Sequence, residues 1–127
     1  MKKIIIISSI LVFSFSCSQS KNDRRFLGEK YAKEELDKTL NSKEGHNVID
    51  NRTLIIKNKE TAIKLAETIL FDMYGKKNIE SQKPYDIHRF QNYYVISGTL
   101  PKKSIGGTFI IIIDGTNSKI LKISHGK

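Results

Sequence analysis

Hydrophobic and polar positions divide this chain into stretches of different period. A continuous, mainly apolar run from Ile4 to Phe15 follows Lys2 and Lys3 and gives way to Ser16 and Cys17. The SQSKND that comes next is small, polar and aperiodic, the composition of a flexible spacer. From Arg24 to Leu40 good helix formers dominate, and Leu27, Tyr31, Leu36 and Leu40 make a thin apolar stripe among alternating charges, which predicts a helix. The turn formers NSKEGHN end it, and TLIIK at 53 to 57 reads as a short extended piece. A better punctuated helix starts at Asn58, a good N-cap residue, with Glu60 in the first turn where a negative charge suits the helix dipole. Ala62, Ala66, Ile69, Leu70 and Met73 recur at spacings of three and four on one face, and Gly75 supplies the stop.

Four strand-like runs follow, at about 83 to 90, 93 to 100, 107 to 113 and 119 to 125. QN, PKKSIGG and DGTNS connect them, and such short links favour an antiparallel meander. In the third run Phe109, Ile111 and Ile113 alternate with Ile110 and Ile112, so both faces are apolar and the strand is central. One face suits the Asn58 helix; the other needs the N-terminal helix, the curl of the sheet or a partner. The fourth run alternates, with Leu121 and Ile123 on one face and Ile120, Lys122 and Ser124 on the other. The expected fold is α+β, one or two helices packed on a curved antiparallel four-stranded sheet.

The apolar run at the start is too short for a permanent transmembrane helix, which needs roughly 20 residues, and its basic flank fits an export leader. Cys17, the single cysteine, directly follows a small residue, and the arrangement resembles the bacterial lipobox. It departs from that pattern where Ser14 stands three positions before the cysteine in place of the usual leucine. The resemblance implies a lipidated Cys17, palmitate among its acyl chains; the other reading is an ordinary cleaved leader with a leftover thiol. A thioether at Cys17 leaves no disulfide, so the folded part must be held by its core. Two or three acyl chains anchor firmly where one is marginal. Ser18 lacks the aspartate that argues for inner-membrane retention, which points to the periplasmic face of the outer membrane.

The resulting layout is a leader at 1–16, a lipidated cysteine and tether at 17–23, a helical extension and linker at 24–52, and a domain at 53–127. The formal net charge is +9, and its excess is uneven. Residues 21–44 are nearly balanced, with seven basic and six acidic side chains, while residues 57–127 carry twelve and six. No arginine-rich or RNP-like motif points to nucleic acid. An acidic protein partner or an anionic lipid surface is the better explanation, beside a merely solvated basic surface.

Residues 59–127 also resemble a family of small bacterial immunity proteins with a nuclear-transport-factor-2-like, or cystatin-like, fold. The matching pieces are ETAIKLAE at 60–67, MYG at 73–75, KPY at 83–85, YYVISGTLP at 93–101, the paired glycines at 106–107 and the terminal KISHGK, in the family's order. Tyr94 departs from the tryptophan common in relatives, and the residues before about 50 match nothing in the family. The resemblance implies a protein that binds and neutralises a secreted polymorphic toxin. The partner expected is a toxin with an acidic face, steered by Lys102 and Lys103, with Tyr93 as an aromatic anchor.

Candidate chemistry is sparse. His46 lies in a turn-rich linker, His88 within a strand run and His125 near the end, none in a metal-ligand spacing, and no cofactor is implied. A conical pocket using Asp86, Tyr85, Tyr93 and Tyr94 is the enzymatic or small-molecule-binding alternative, and a cystatin-like protease inhibitor is another. The glycines of SIGGTF precede a strand and not a helix, which is the wrong setting for a phosphate loop.

Overall fold

The computed structural model describes residues 24–43 and 46–126. The expected leader, Cys17 and tether lie outside the described residues. The chain divides into two compact units, Met1–Glu44 and Gly45–Lys127.

In the first unit, α1 spans Gly28–Leu40, starting four residues later than the pattern suggested. Gly28 has a φ of 85°, a left-handed value that marks the entry to the helix. Its charges pair along the helix surface, Lys33 with Asp37 and Lys38 with Glu35. None of its residues is buried, the apolar stripe included.

The second unit holds α2 (Lys59–Tyr74), α3 (Lys76–Glu80), β1 (Asp86–Phe90), β2 (Tyr93–Ser97), β3 (Phe109–Asp114) and β4 (Ile120–His125). The strands lie in the order β1-β2-β3-β4, each antiparallel to its neighbours, so β3 is interior as its two apolar faces require. The expected α+β architecture is the one observed.

Asn58 caps α2 by accepting the Thr61 backbone N–H at 2.8 Å, and Gly75, at a φ of 86°, closes it with an N–H bond to the Phe71 carbonyl. Ala62, Ala66 and Leu70 form the buried line of the helix. Two alanines on that line let the helix backbone come close to the sheet, where Tyr94, Ile96, Phe109, Ile111 and Ile113 complete the core. Ile69 is half-buried and Met73, in the last turn, is exposed. The packing face is thus displaced from the predicted one, with Ile63, Leu65, Phe71 and Tyr74 flanking the buried line in place of Ile69 and Met73.

Three features depart from the pattern. Residues 53–57 form no strand: the N–H groups of Ile55 and Ile56 both bond the Gly115 carbonyl, and this seats Ile56 in the core. The five-residue α3 was not anticipated, since one turn carries a single buried residue, Ile79, and no readable period. In β4, Ile112 faces Lys122 while Ile113 faces Ile120, so Leu121 is an extra residue, a β-bulge. The bulge turns Ile120 to the same side as Ile123, where both pack on the core, and leaves Leu121 49% exposed. The alternation expected for that strand is overturned by this one inserted residue.

The end of the sheet near α3 is held by Gln82, a buried polar side chain in the peptide before the cis Lys83–Pro84 bond. Its Oε1 accepts the Phe109 N–H at 2.9 Å and its amide nitrogen lies 3.0 Å from His125 Nε2. Gly98 makes room for it, because a Cβ there would stand 2.2 Å from Gln82 Oε1. Gly107 meets Gly126 backbone to backbone in the same way, at 2.1 Å for an added Cβ.

Candidate functional site

The sheet has two unlike faces. The inner one carries α2. On the outer one the alternation of β1 and β2 brings up Asp86, His88 and Phe90, then Tyr93, Val95 and Ser97. Phe90 and Tyr93 are directly opposite each other across the Gln91–Asn92 turn and remain 62% and 40% exposed. His88 lies 2.7 Å from Asp86 and stacks on Phe90. An antiparallel sheet tolerates one wet face, and here two exposed aromatics stand side by side on it.

Tyr93, Lys102 and Lys103 do not form one cluster. Tyr93 opens β2 at the hairpin tip, whereas the two lysines lie in the exposed loop that follows the other end of the strand. The strand alone puts about 13 Å between its ends. Beside the lysines, Ile105 is fully exposed, a feature that the sequence reading passed over because a lone isoleucine in a loop has no period.

The proposed conical-pocket residues are dispersed as well. Tyr94 is fully buried and its hydroxyl donates to the Ile56 carbonyl at 2.9 Å. Tyr85 is half-buried, edge-on to Phe109, and donates to Glu67 Oε1 at 2.9 Å. Asp86 and Tyr93 point to the outer face, away from both. Glu67 also pairs with Lys83 at 2.8 Å. Burial opposes its ionisation, but the hydrogen bonds from Lys83 and Tyr85 and the Lys83 charge outweigh it and hold the carboxyl below the usual glutamate range. Burial first, and then the bond to Glu67, push the Tyr85 hydroxyl well above its ordinary value. Lys83 and Tyr85 both bond Glu67 Oε1, so the three side chains brace α2 against the segment that leads into β1.

The three histidines lie in separate surroundings. His46 is exposed, His88 is bonded to Asp86, and His125 lies against Tyr74 with ring centroids 5.0 Å apart.

A further feature that the sequence did not suggest is an open cleft of about 380 Å³ beside the start of α2, lined by Lys57, Asn58, Lys59, Glu60, Arg89 and Tyr94. Arg89 and Tyr94 are cross-strand partners, and Lys59 Nζ donates to the Ile87 carbonyl at 3.3 Å, tying the helix start to the edge strand. Its lysines and arginine are scattered over 33 residues of sequence and share no motif.

A helical layer on a four-stranded antiparallel meander defines a small α+β domain. A family model described as NTF2 fold immunity protein matches residues 61–127, and the chain belongs to that family. Membership implies a toxin as the binding partner. Two Escherichia coli K12 proteins are similar to it. The uncharacterized protein YhhH is 32% identical over 99% of this chain and 93% of its own length. The uncharacterized protein YbbC is 37% identical over 57% of this chain, which spans 60% of that relative. No solved structure matches the chain.

Proposed function

We propose that this protein is a lipid-anchored immunity protein that neutralises a cognate secreted polymorphic toxin in the cell envelope by binding it. The observation that carries the reading is the family match, which begins in the first turn of α2 and takes in α3 and all four strands. Anchoring is supported by the leader-like run ending at Cys17, and Ser18 after it favours the periplasmic face of the outer membrane. Neutralisation is by occlusion, without turnover. Lys102 and Lys103 steer an acidic face of the toxin, and Ile105 beside them adds apolar contact. Tyr93, with Phe90 opposite, supplies an anchor at the far end of β2.

The test is capture of the toxin domain encoded beside the gene, followed by joint Lys102→Glu and Lys103→Glu substitution. Slower association with a flatter salt dependence is expected. Unchanged rates remove these lysines from the mechanism, and failure of the wild-type chain to bind any neighbouring toxin domain removes the reading itself.

A further inference from the structure

We infer that the cleft formed by Lys57, Lys59 and Arg89 is a docking site for acidic side chains of the protein partner, continuous with the aromatic pair at the hairpin tip. The inference rests on the immunity reading and adds to it a second basic contact, distinct from the loop of Lys102 and Lys103.

Charge is the first observation. Lys33, Lys38, Lys76 and Lys83 each have a carboxylate partner. Among the described residues, Lys57, Lys59 and Arg89 have none, although they converge on one concavity whose lining holds a single acid, Glu60. Three like charges facing one cleft repel each other, an arrangement relieved when an anion enters. The cleft has the liquid volume of about a dozen waters, room for more than one carboxylate side chain.

The disposition of hydrogen-bond donors decides between a protein and a small free anion. Tyr94 borders the cleft but is fully buried, and its hydroxyl donates to the Ile56 carbonyl, while the Thr61 N–H at the helix start is capped by Asn58. The fixed groups are thus already used within the fold. What faces the cleft is Lys57 and Arg89 without a carboxylate partner and Lys59 on a long 3.3 Å bond to the Ile87 carbonyl, flexible cations that suit carboxylates presented by another surface better than a small ion needing rigid donors.

Continuity with the outer face is the second observation. Arg89 precedes Phe90 in β1 and so projects to the opposite side of the same edge strand. A partner that straddles this edge meets Arg89 and the lysines on one side and Phe90 and Tyr93 on the other, and arginine and tyrosine are among the residues that dominate binding energy at interfaces.

The experiment uses the full chain and the toxin domain encoded beside it. Binding and salt dependence are measured for the wild type, for combined Lys57→Glu, Lys59→Glu and Arg89→Glu, and for Lys64→Glu as a charge control elsewhere on α2; circular dichroism and melting monitor the fold. The expected result is a loss of affinity of about tenfold or more in the triple variant with a flattened salt slope, and a change of under about threefold in the control. Combined Lys57→Arg and Lys59→Arg retains wild-type affinity. A triple variant that binds as the wild type does overturns the cleft and leaves the immunity reading standing. Wild-type cleft resonances that saturate with inorganic phosphate, with toxin affinity untouched by the reversal, overturn it in favour of a small anion. A wild type that does not bind the toxin domain overturns both.

Discussion

Tyr94 buries its ring completely, and its hydroxyl meets one acceptor, the carbonyl of Ile56, in a stretch that has no strand partner of its own. That bond and the two amides on Gly115 are what hold residues 55 and 56 against the sheet. Tyr94→Phe keeps the ring and orphans the carbonyl, so unfolding in urea should show a loss of about 1–3 kcal/mol. Glu67 contributes to the acid dependence of stability. Its folded pKa is depressed, so its contribution is fully present above the unfolded value and is lost as pH falls through the folded one. Stability of the wild type should therefore decline below about pH 4.3, the ordinary glutamate range, with a steeper slope than that of Glu67→Gln. Equal slopes in the two proteins would show that the Lys83–Glu67–Tyr85 brace adds nothing in solution.

At the scale of elements, the bulge in β4 is the feature with the largest consequence for side-chain placement. A one-residue slip reverses every later side chain across a sheet, and here the slip sits between Ile120 and Lys122. Leu121→Lys should change stability by no more than about 0.5 kcal/mol, as at an ordinary surface site, whereas Ile120→Lys should cost about 2 kcal/mol or more by forcing a charge towards the core. Thermal melts of the two variants distinguish the bulged register from the regular alternation, which reverses the order. The central place of β3 was legible because its continuous apolar run, bounded by turn residues, needs cover on both faces. The helix α2 was legible from its cap, its alanine-rich face and its glycine stop, all local signals. The bulge and α3 were not, since a single inserted residue and a single helical turn leave no period to read.

For the whole molecule, the folded unit carries its own core, drawn from residues 56 to 113 with flanking contacts as far as Ile123. Nothing in that core requires a crosslink, consistent with a chain whose one cysteine is proposed to carry lipid. Replacement of Cys17 by serine should shift the protein from the membrane fraction to the soluble envelope fraction and abolish the acyl mass increments; retention in the membrane with unchanged mass would rule out the anchor.

What the sequence determined by itself was set by neighbours a few positions apart: the cap and stop of α2, the four strand segments, the class of the fold and the family. The tertiary structure decided which distant residues meet. It parted Tyr93 from Lys102 and Lys103 by placing them at opposite ends of one strand, and it gathered Lys57, Lys59 and Arg89 into one cleft. The physical reason is that local pattern reflects backbone preference and one-sided burial, which a short window contains. The meeting of side chains depends on register and on the packing of a helix end against an edge strand, which no short window contains.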